Sequence, residues 1–216
     1  MSKDKKDKII EIGIIGDTET GKTSLINYYN ESGFMEQITP TVGIDTYVKT
    51  IKYRKNEYKL KIIDTAGQEQ YHSLALNIFK QCKGLILVYA IDNEPSFENI
   101  KNRWIEDINN AFDISKIPVI LVGNKKDLKD ERNISEKEGK EVANKNNFMF
   151  SETSAKTGEN VNKIFQDLFE FIANGIEIID YSNIKKNENK NNEKKNKEIK
   201  IIEKKNKDNK SGCIIF

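Results

Sequence analysis

The eight residues Gly16-Asp17-Thr18-Glu19-Thr20-Gly21-Lys22-Thr23 follow directly on the apolar run Ile9 to Ile15 and lead into Leu25, Ile26 and Tyr29, which share one helical face. A continuous short apolar run is what a strand covered on both faces requires. The same alternation continues along the chain. Tyr47 to Tyr53 and Tyr58 to Ile63 flank Arg54 to Glu57, where Asn56 offers turn chemistry, and they read as a hairpin. Gly84 to Ile91, Pro118 to Val122 and Phe148 to Phe150 supply three more strands. Between them, Ser96 is expected to cap a helix carrying Ile100, Trp104, Ile105 and Ile108 inward. Ser135-Glu136-Lys137-Glu138 is a capping box, and Asn160 opens a helix with Val161, Ile164, Phe165, Leu168, Phe169 and Ile172 inward. The expected fold is α/β, a six-stranded, mostly parallel, doubly wound sheet with helices on both faces and ligands at the carboxyl ends of its strands.

At 216 residues there is room for one such domain and a tail. Charge divides the chain: residues 181–216 hold 11 Lys against 5 Asp and Glu, net +6, whereas the first 180 hold 25 Lys and Arg against 29 Asp and Glu, net −4. The basic balance belongs to the tail, so a nucleic-acid-binding face on the folded part has no support and no nucleic-acid partner is expected. After about Asp180 the composition falls to Asn, Lys and Glu with scattered Ile, which cannot build a core. The expected organisation is an extension at 1–7, a domain at 8–178 and a disordered tail at 179–216. Cys82 and Cys213 differ too much in setting to suggest a disulfide, which fits a reducing compartment. Met1 to Lys8 lacks the apolar segment of a signal peptide, and nowhere do about 18 apolar residues run together. A cytoplasmic monomer is expected.

The spacing Gly, four residues, Gly-Lys-Thr binds phosphate, because its backbone N–H groups converge on phosphate oxygens at the positive end of the following helix. Asp17, Thr18, Glu19, Thr20, Gly21, Lys22, Thr23 and Ser24 are the expected contacts, with Lys22 neutralising the β and γ phosphates and the Thr23 hydroxyl placed for Mg²⁺. Glu19 adds an anion there. Asp64-Thr65-Ala66-Gly67-Gln68-Glu69 ends the third strand: Asp64 can hold Mg²⁺, Gly67 can donate its N–H to a γ-phosphate, and the Gln68 amide can orient an attacking water.

The run Pro118 to Val122 delivers Gly123-Asn124-Lys125-Lys126-Asp127. Guanine offers two adjacent donors that the Asp127 carboxylate can accept together, whereas adenine would leave it unpaired, a discrimination of up to ~10⁴. Asn124 can brace neighbouring loops and the Lys125 stem can lie along the purine. Alone, this run is ordinary turn sequence in a Lys-rich chain. Ser154-Ala155-Lys156 follows another strand, and the Ala155 N–H could bond the guanine oxygen. The order of the three elements points to GTP and GDP.

The set closely resembles the Ras superfamily of small GTPases over residues 8–178, and within it the Rab family. Thr41-Val42-Gly43-Ile44-Asp45, Ala66-Gly67-Gln68-Glu69-Gln70-Tyr71 and Leu87-Val88-Tyr89 carry the Rab likeness. The resemblance implies a phosphate-loop NTPase fold of the small G-protein kind, Thr41 as a Mg²⁺ ligand that senses the γ-phosphate, and Phe34 packed against guanine. It also implies a role in membrane trafficking through effector, exchange-factor and GTPase-activating proteins. Ile38, Thr46, Ile63 and Ala90 depart from the Rab pattern at positions expected on the recognition surface.

The chain ends Cys213-Ile214-Ile215-Phe216, a prenylation box whose final Phe favours geranylgeranyl on Cys213. With the Lys-rich stretch before it as a second signal, reversible attachment to the cytosolic face of a membrane is expected. No Arg lies between Thr23 and Thr41, so unaided hydrolysis should be slow, with a factor of ~10³ to 10⁵ left to a partner. The alternatives are a Ras-like or Rho-like signalling GTPase, and a module that holds GTP with little hydrolysis. His72, the only histidine, reads as an exposed polar residue, Cys82 as a small buried hydrophobe, and Trp104, Phe165 and Phe169 as core.

Overall fold

The computed structural model describes residues 8–30, 41, 43–65 and 72–176. The extension at 1–7, the tail from 177, Phe34, Ile38, Gly67, Gln68 and Cys213 lie outside them, as does the His72 side chain. Strands β1 (Lys8–Ile15), β2 (Ile44–Tyr53), β3 (Asn56–Thr65), β4 (Gly84–Ala90), β5 (Val119–Asn124) and β6 (Met149–Glu152) form one sheet in the order β2-β3-β1-β4-β5-β6. Only the β2–β3 pair is antiparallel; β1, β3, β4, β5 and β6 run parallel. Helices α1 (Lys22–Tyr29), α2 (His72–Phe79), α3 (Glu94–Asn99), α4 (Ile105–Ala111), α5 (Glu136–Lys145) and α6 (161–176) connect or follow the strands. The chain divides into a compact unit Met1–Ile172 and a second, Ala173–Phe216, of which only 173–176 are described.

Every residue of β4 and β5 is buried, as parallel strands between two helical layers demand. One face carries Ile15, Leu85, Leu87 and Tyr89 into a cluster with Phe97, Ile100, Trp104, Ile105 and Ile108. Ile10, Ile12, Ile14, Ile86 and Val88 alternate with them and are also fully buried. On the side of α1 and α6, Tyr29 stacks on Phe165 with ring centroids 4.2 Å apart, and Tyr58 meets Phe169 edge-on at 5.4 Å. At about 1.5–3 kcal/mol per fully buried apolar side chain, the sheet is the main source of stability. Cys82 is buried, which pushes its thiol up to about 12.

The structure differs from the sequence reading at several places, among them the start of β2 at Ile44 and the end of β6 at Glu152. Tyr53 pairs with Asn56, so the hairpin turn is Arg54-Lys55 alone and Asn56 and Glu57 are already strand. Arg54 takes a φ of 52° to make that turn. Asn93, not Ser96, caps α3: its side chain accepts the Ser96 N–H at 2.9 Å, while Ser96 Oγ accepts the Ala90 N–H at 3.1 Å. Its helix is also broken by a π-turn, Ile100–Trp104, that sequence spacing did not reveal. Finally, Ile63 and Ala90 are 3% and 1% exposed, so they belong to the core rather than to a recognition surface; Thr46 is exposed as expected. The Ser135 capping box forms, with the Glu138 carboxylate accepting the Ser135 N–H at 2.9 Å.

Candidate nucleotide-binding site

Strand order reverses at β1, whose neighbours are β3 and β4, and such a point opens a crevice at the carboxyl end of the strand. Gly16 begins there with a φ of 147°, and a Cβ on it would sit 2.1 Å from the Val88 carbonyl oxygen. Gly21 has a φ of 86°, and a Cβ there would meet Asn124 Nδ2 at 2.3 Å. Glycine is therefore required at both ends of the loop. Between them, Thr20 Oγ1 donates to the Asp17 carbonyl at 2.9 Å and Lys22 Nζ donates to the same oxygen at 2.6 Å. Thr18 and Glu19 are exposed, and Glu19 holds a φ of 62°.

Among the described residues no side chain caps α1, and its first turn has no acidic residue. The first helical bond runs from the Leu25 N–H to the Gly21 carbonyl, so the amides of Lys22, Thr23 and Ser24 precede it. That end of the helix can receive an anion, with no side-chain cap on it among the described residues. Lys22 is 6% exposed, and burial pulls its ammonium down to about 8 against the pull of Asp64 and Asp17. A bound polyphosphate would supply the partner that reverses this cost.

The register Ile14↔Asp64 sets Asp64 beside the start of the loop. Thr23 Oγ1 donates to Asp64 Oδ2 at 2.6 Å, and with its one proton spent it accepts from Thr41 Oγ1 at 2.9 Å. Asp64 is fully buried, its carboxyl is pushed up by that burial, and its Oδ1 has no hydrogen-bond partner among the described residues. An orphan of this kind costs roughly 1–3 kcal/mol or more. Hydroxyl and carboxylate oxygens gathered around it fit Mg²⁺. Among the described residues no group of three or more His, Cys, Asp and Glu offers a different metal chemistry.

At the base end, β5 runs on to Asn124, which is 1% exposed. Its Nδ2 donates to the Thr20 carbonyl at 2.9 Å, and its Oδ1 accepts from Thr153 Oγ1 at 3.1 Å and from the Ala155 N–H at 3.2 Å. One amide thus joins the phosphate loop to the loops after β5 and β6. The Ala155 N–H, expected to face guanine, has Asn124 as its partner here, because a buried amide oxygen needs donors. Asp127 is half-buried, and its Oδ1 accepts from Ser154 Oγ at 2.5 Å. Ser154 in turn accepts the Thr157 N–H at 3.1 Å, so the carboxylate is aimed by a fixed hydroxyl. Lys125 adopts a φ of 65°, and Asp92 Oδ2 holds its ammonium at 3.2 Å. Lys156 is exposed beside them.

Sequence reasoning missed the supports: Thr153 and Asp92, and also Asn99 and Trp104, which donate to the two carboxylate oxygens of Asp17 at 2.6 and 2.7 Å. The one available signal was the indole N–H, a donor that seeks a partner when buried.

Residues 11–174 match the model of the Ras family. Rab-1 of Theileria parva is 38% identical over 159 residues, 74% of this chain and 72% of that protein. Rab-10 of Caenorhabditis elegans is 36% identical over 172 residues, 80% and 85% of the two chains. Rab-11B of Dictyostelium discoideum is 38% identical over 167 residues, 77% and 74%.

Proposed function

The chain belongs to the Ras family, and from that premise we propose that it acts as a Rab-like GTP switch in membrane trafficking, run by the residues of the crevice just described. It binds GTP and GDP with Mg²⁺, hydrolyses GTP, and works through regulators and effectors. The observation that carries the assignment of residues is the Asn124 amide, which bonds the phosphate loop and the base-reading loops at once. A protein needing phosphate alone has no use for that cross-link.

In this reading Asp127, steadied by Ser154, accepts the two donors of guanine, and Lys125 lies along the purine with Asp92 holding its ammonium. Lys22 and the amides at the start of α1 meet the β and γ phosphates. Thr23, Thr41 and Asp64 would hold Mg²⁺, which when bound neutralises phosphate charge. Water displaces GDP from the γ-phosphorus and releases phosphate, with Gln68 assigned by its sequence position to orient that water and no covalent enzyme intermediate. Loss of the γ-phosphate frees Thr41 and Gly67, the change that effectors read. Cys213 carries a prenyl group that, with the basic tail, holds a monomer at a membrane surface.

Equilibrium binding of fluorescent nucleotides with Mg²⁺ tests the core of this: GTP and GDP bind, and ATP is weaker by ~10² or more. Equal uptake of ATP overturns it. Single-turnover hydrolysis slowed by Gln68→Leu supports the enzyme reading, and an unchanged rate favours a mere GTP-holding module. Cell fractionation of Cys213→Ser checks the anchor, which is refuted if the variant still sediments with membranes.

A further inference from the structure

The helical segment after β4 holds an interruption the switch mechanism does not use. Between α3 and α4, the Ile105 N–H bonds the Ile100 carbonyl, an i→i+5 bond that inserts one extra residue into the turn. Such turns are tolerated where something is gained from them. Asn99 and Trp104 lie five positions apart, which an ordinary α-helix would separate by about 140° around its axis. The wider turn returns them to one side. There Asn99 Nδ2 donates to Asp17 Oδ2 at 2.6 Å and Trp104 Nε1 donates to Asp17 Oδ1 at 2.7 Å.

Asp17 is also the hub of the phosphate loop, since its carbonyl accepts both Lys22 Nζ and Thr20 Oγ1. A carboxylate left free here would be drawn toward Lys22 and would repel phosphate. With each of its oxygens engaged by the helix, it is held aside and its peptide plane is fixed. We infer that Asn99 and Trp104 are positioning residues for nucleotide binding, acting through Asp17 to keep the Lys22 ammonium and the loop amides in their phosphate-receiving arrangement. The π-turn is the device that lets both reach. The inference rests on the nucleotide reading of this site and deepens it.

Trp104 is the single tryptophan of the chain, so its emission reports this contact without a label. The test uses full-length protein loaded with a fluorescent GDP, and measures release in excess unlabelled GDP for the parent, Trp104→Phe, Asp17→Ala and the double variant. A charge-assisted hydrogen bond is strong enough for a ~10-fold faster release in each single variant. The double variant should release no faster than Asp17→Ala alone, because Asp17→Ala already removes the contact that Trp104→Phe breaks. Removal of nucleotide should shift Trp104 emission in the parent and not in Asp17→Ala. Asn99→Ala, at a half-buried position on the flank of the helix, gives a second entry into the cycle if Trp104→Phe folds poorly. Parental release rates in the variants, effects that multiply in the double variant, or emission indifferent to nucleotide overturn the clamp. A parent that takes up no guanine nucleotide overturns instead the reading of the site.

Discussion

Glu19 is the residue of the phosphate loop that works against its task. Its φ of 62° lies in the left-handed region, where a side chain with a Cβ costs roughly 1–2 kcal/mol. The side chain is exposed and carries a negative charge on the loop proposed to receive phosphate. At roughly 6 Å in a medium close to water, each like-charge pair costs about 0.7 kcal/mol, a factor of ~3 in affinity, and salt screens it. Two substitutions separate the costs. Glu19→Gln removes the charge and keeps the strain; it should slow GDP and GTP release about 3-fold at low ionic strength, a gain that fades above ~0.5 M salt. Glu19→Gly removes both, and the relief of strain is offset by about 0.5–1 kcal/mol of chain entropy in the unfolded state. A net gain of about 0.5–1 kcal/mol raises the melting temperature by roughly 2 °C in a domain of this size. Stopped-flow release across a salt series and thermal melts read the two effects apart. Release by Glu19→Gln that equals the parent's at every salt concentration refutes the electrostatic argument, and a melting temperature for Glu19→Gly below the parent's refutes the strain argument.

Asn124→Ala removes three buried hydrogen bonds and leaves the Thr20 carbonyl, Thr153 hydroxyl and Ala155 amide short of partners, so calorimetry should find guanine nucleotide affinity down by at least ~100-fold. Thr23→Ala deletes one oxygen of the cation site and strips Asp64 Oδ2 of its donor; a magnesium titration of hydrolysis should need at least ~10-fold more metal for half the maximal rate. Glu152→Gln breaks the two-pronged pair with Arg132, held at 2.6 and 2.8 Å with Glu152 at 3% side-chain exposure. Arg132, left with a neutral partner, is 25% exposed and keeps the Ile134 carbonyl, so the loss of one charge-assisted bond costs about 1.5 kcal/mol, a fall of roughly 4 °C on a thermal melt with little change in nucleotide selectivity.

Much of the architecture was legible because two periodicities carry it. The short, fully apolar runs from Gly84 and Pro118, each opened by a turn residue, read as strands covered on both sides, and the six inward positions from Val161 to Ile172 read as one face of a helix. Element ends were less legible. Asn93 and Ser96 are both good capping residues; Pro95 in the first turn favours the earlier start, and the Ala90 amide, which bonds Ser96 Oγ, leaves Asn93 as the cap. The family resemblance places Ile63 and Ala90 on the recognition surface, yet strand alternation and the covering helices bury them. Local sequence cannot report what another element does with a side chain.

The same division runs through the site. Residues assigned to the site from a strand end or from the segment that follows it, such as Lys22, Thr23, Asp64, Asn124 and Asp127, announce themselves because loop chemistry has to be written contiguously with the strand that delivers it. Residues that act from a helix flank do not, since Asn99 and Trp104 satisfy an apolar pattern and a solvent pattern without any motif. The spacing of Trp104 reads as core, and its ring is there at 4% exposure. What burial alone conceals is the indole N–H, one polar atom on a large apolar body, which in a dry setting must find an acceptor. Asp17 is that acceptor, and its carboxylate needs donors just as much beside a loop built for anions. Each group thus answers the other's desolvation, and a core residue becomes part of the phosphate loop for the same reason that it could be buried at all.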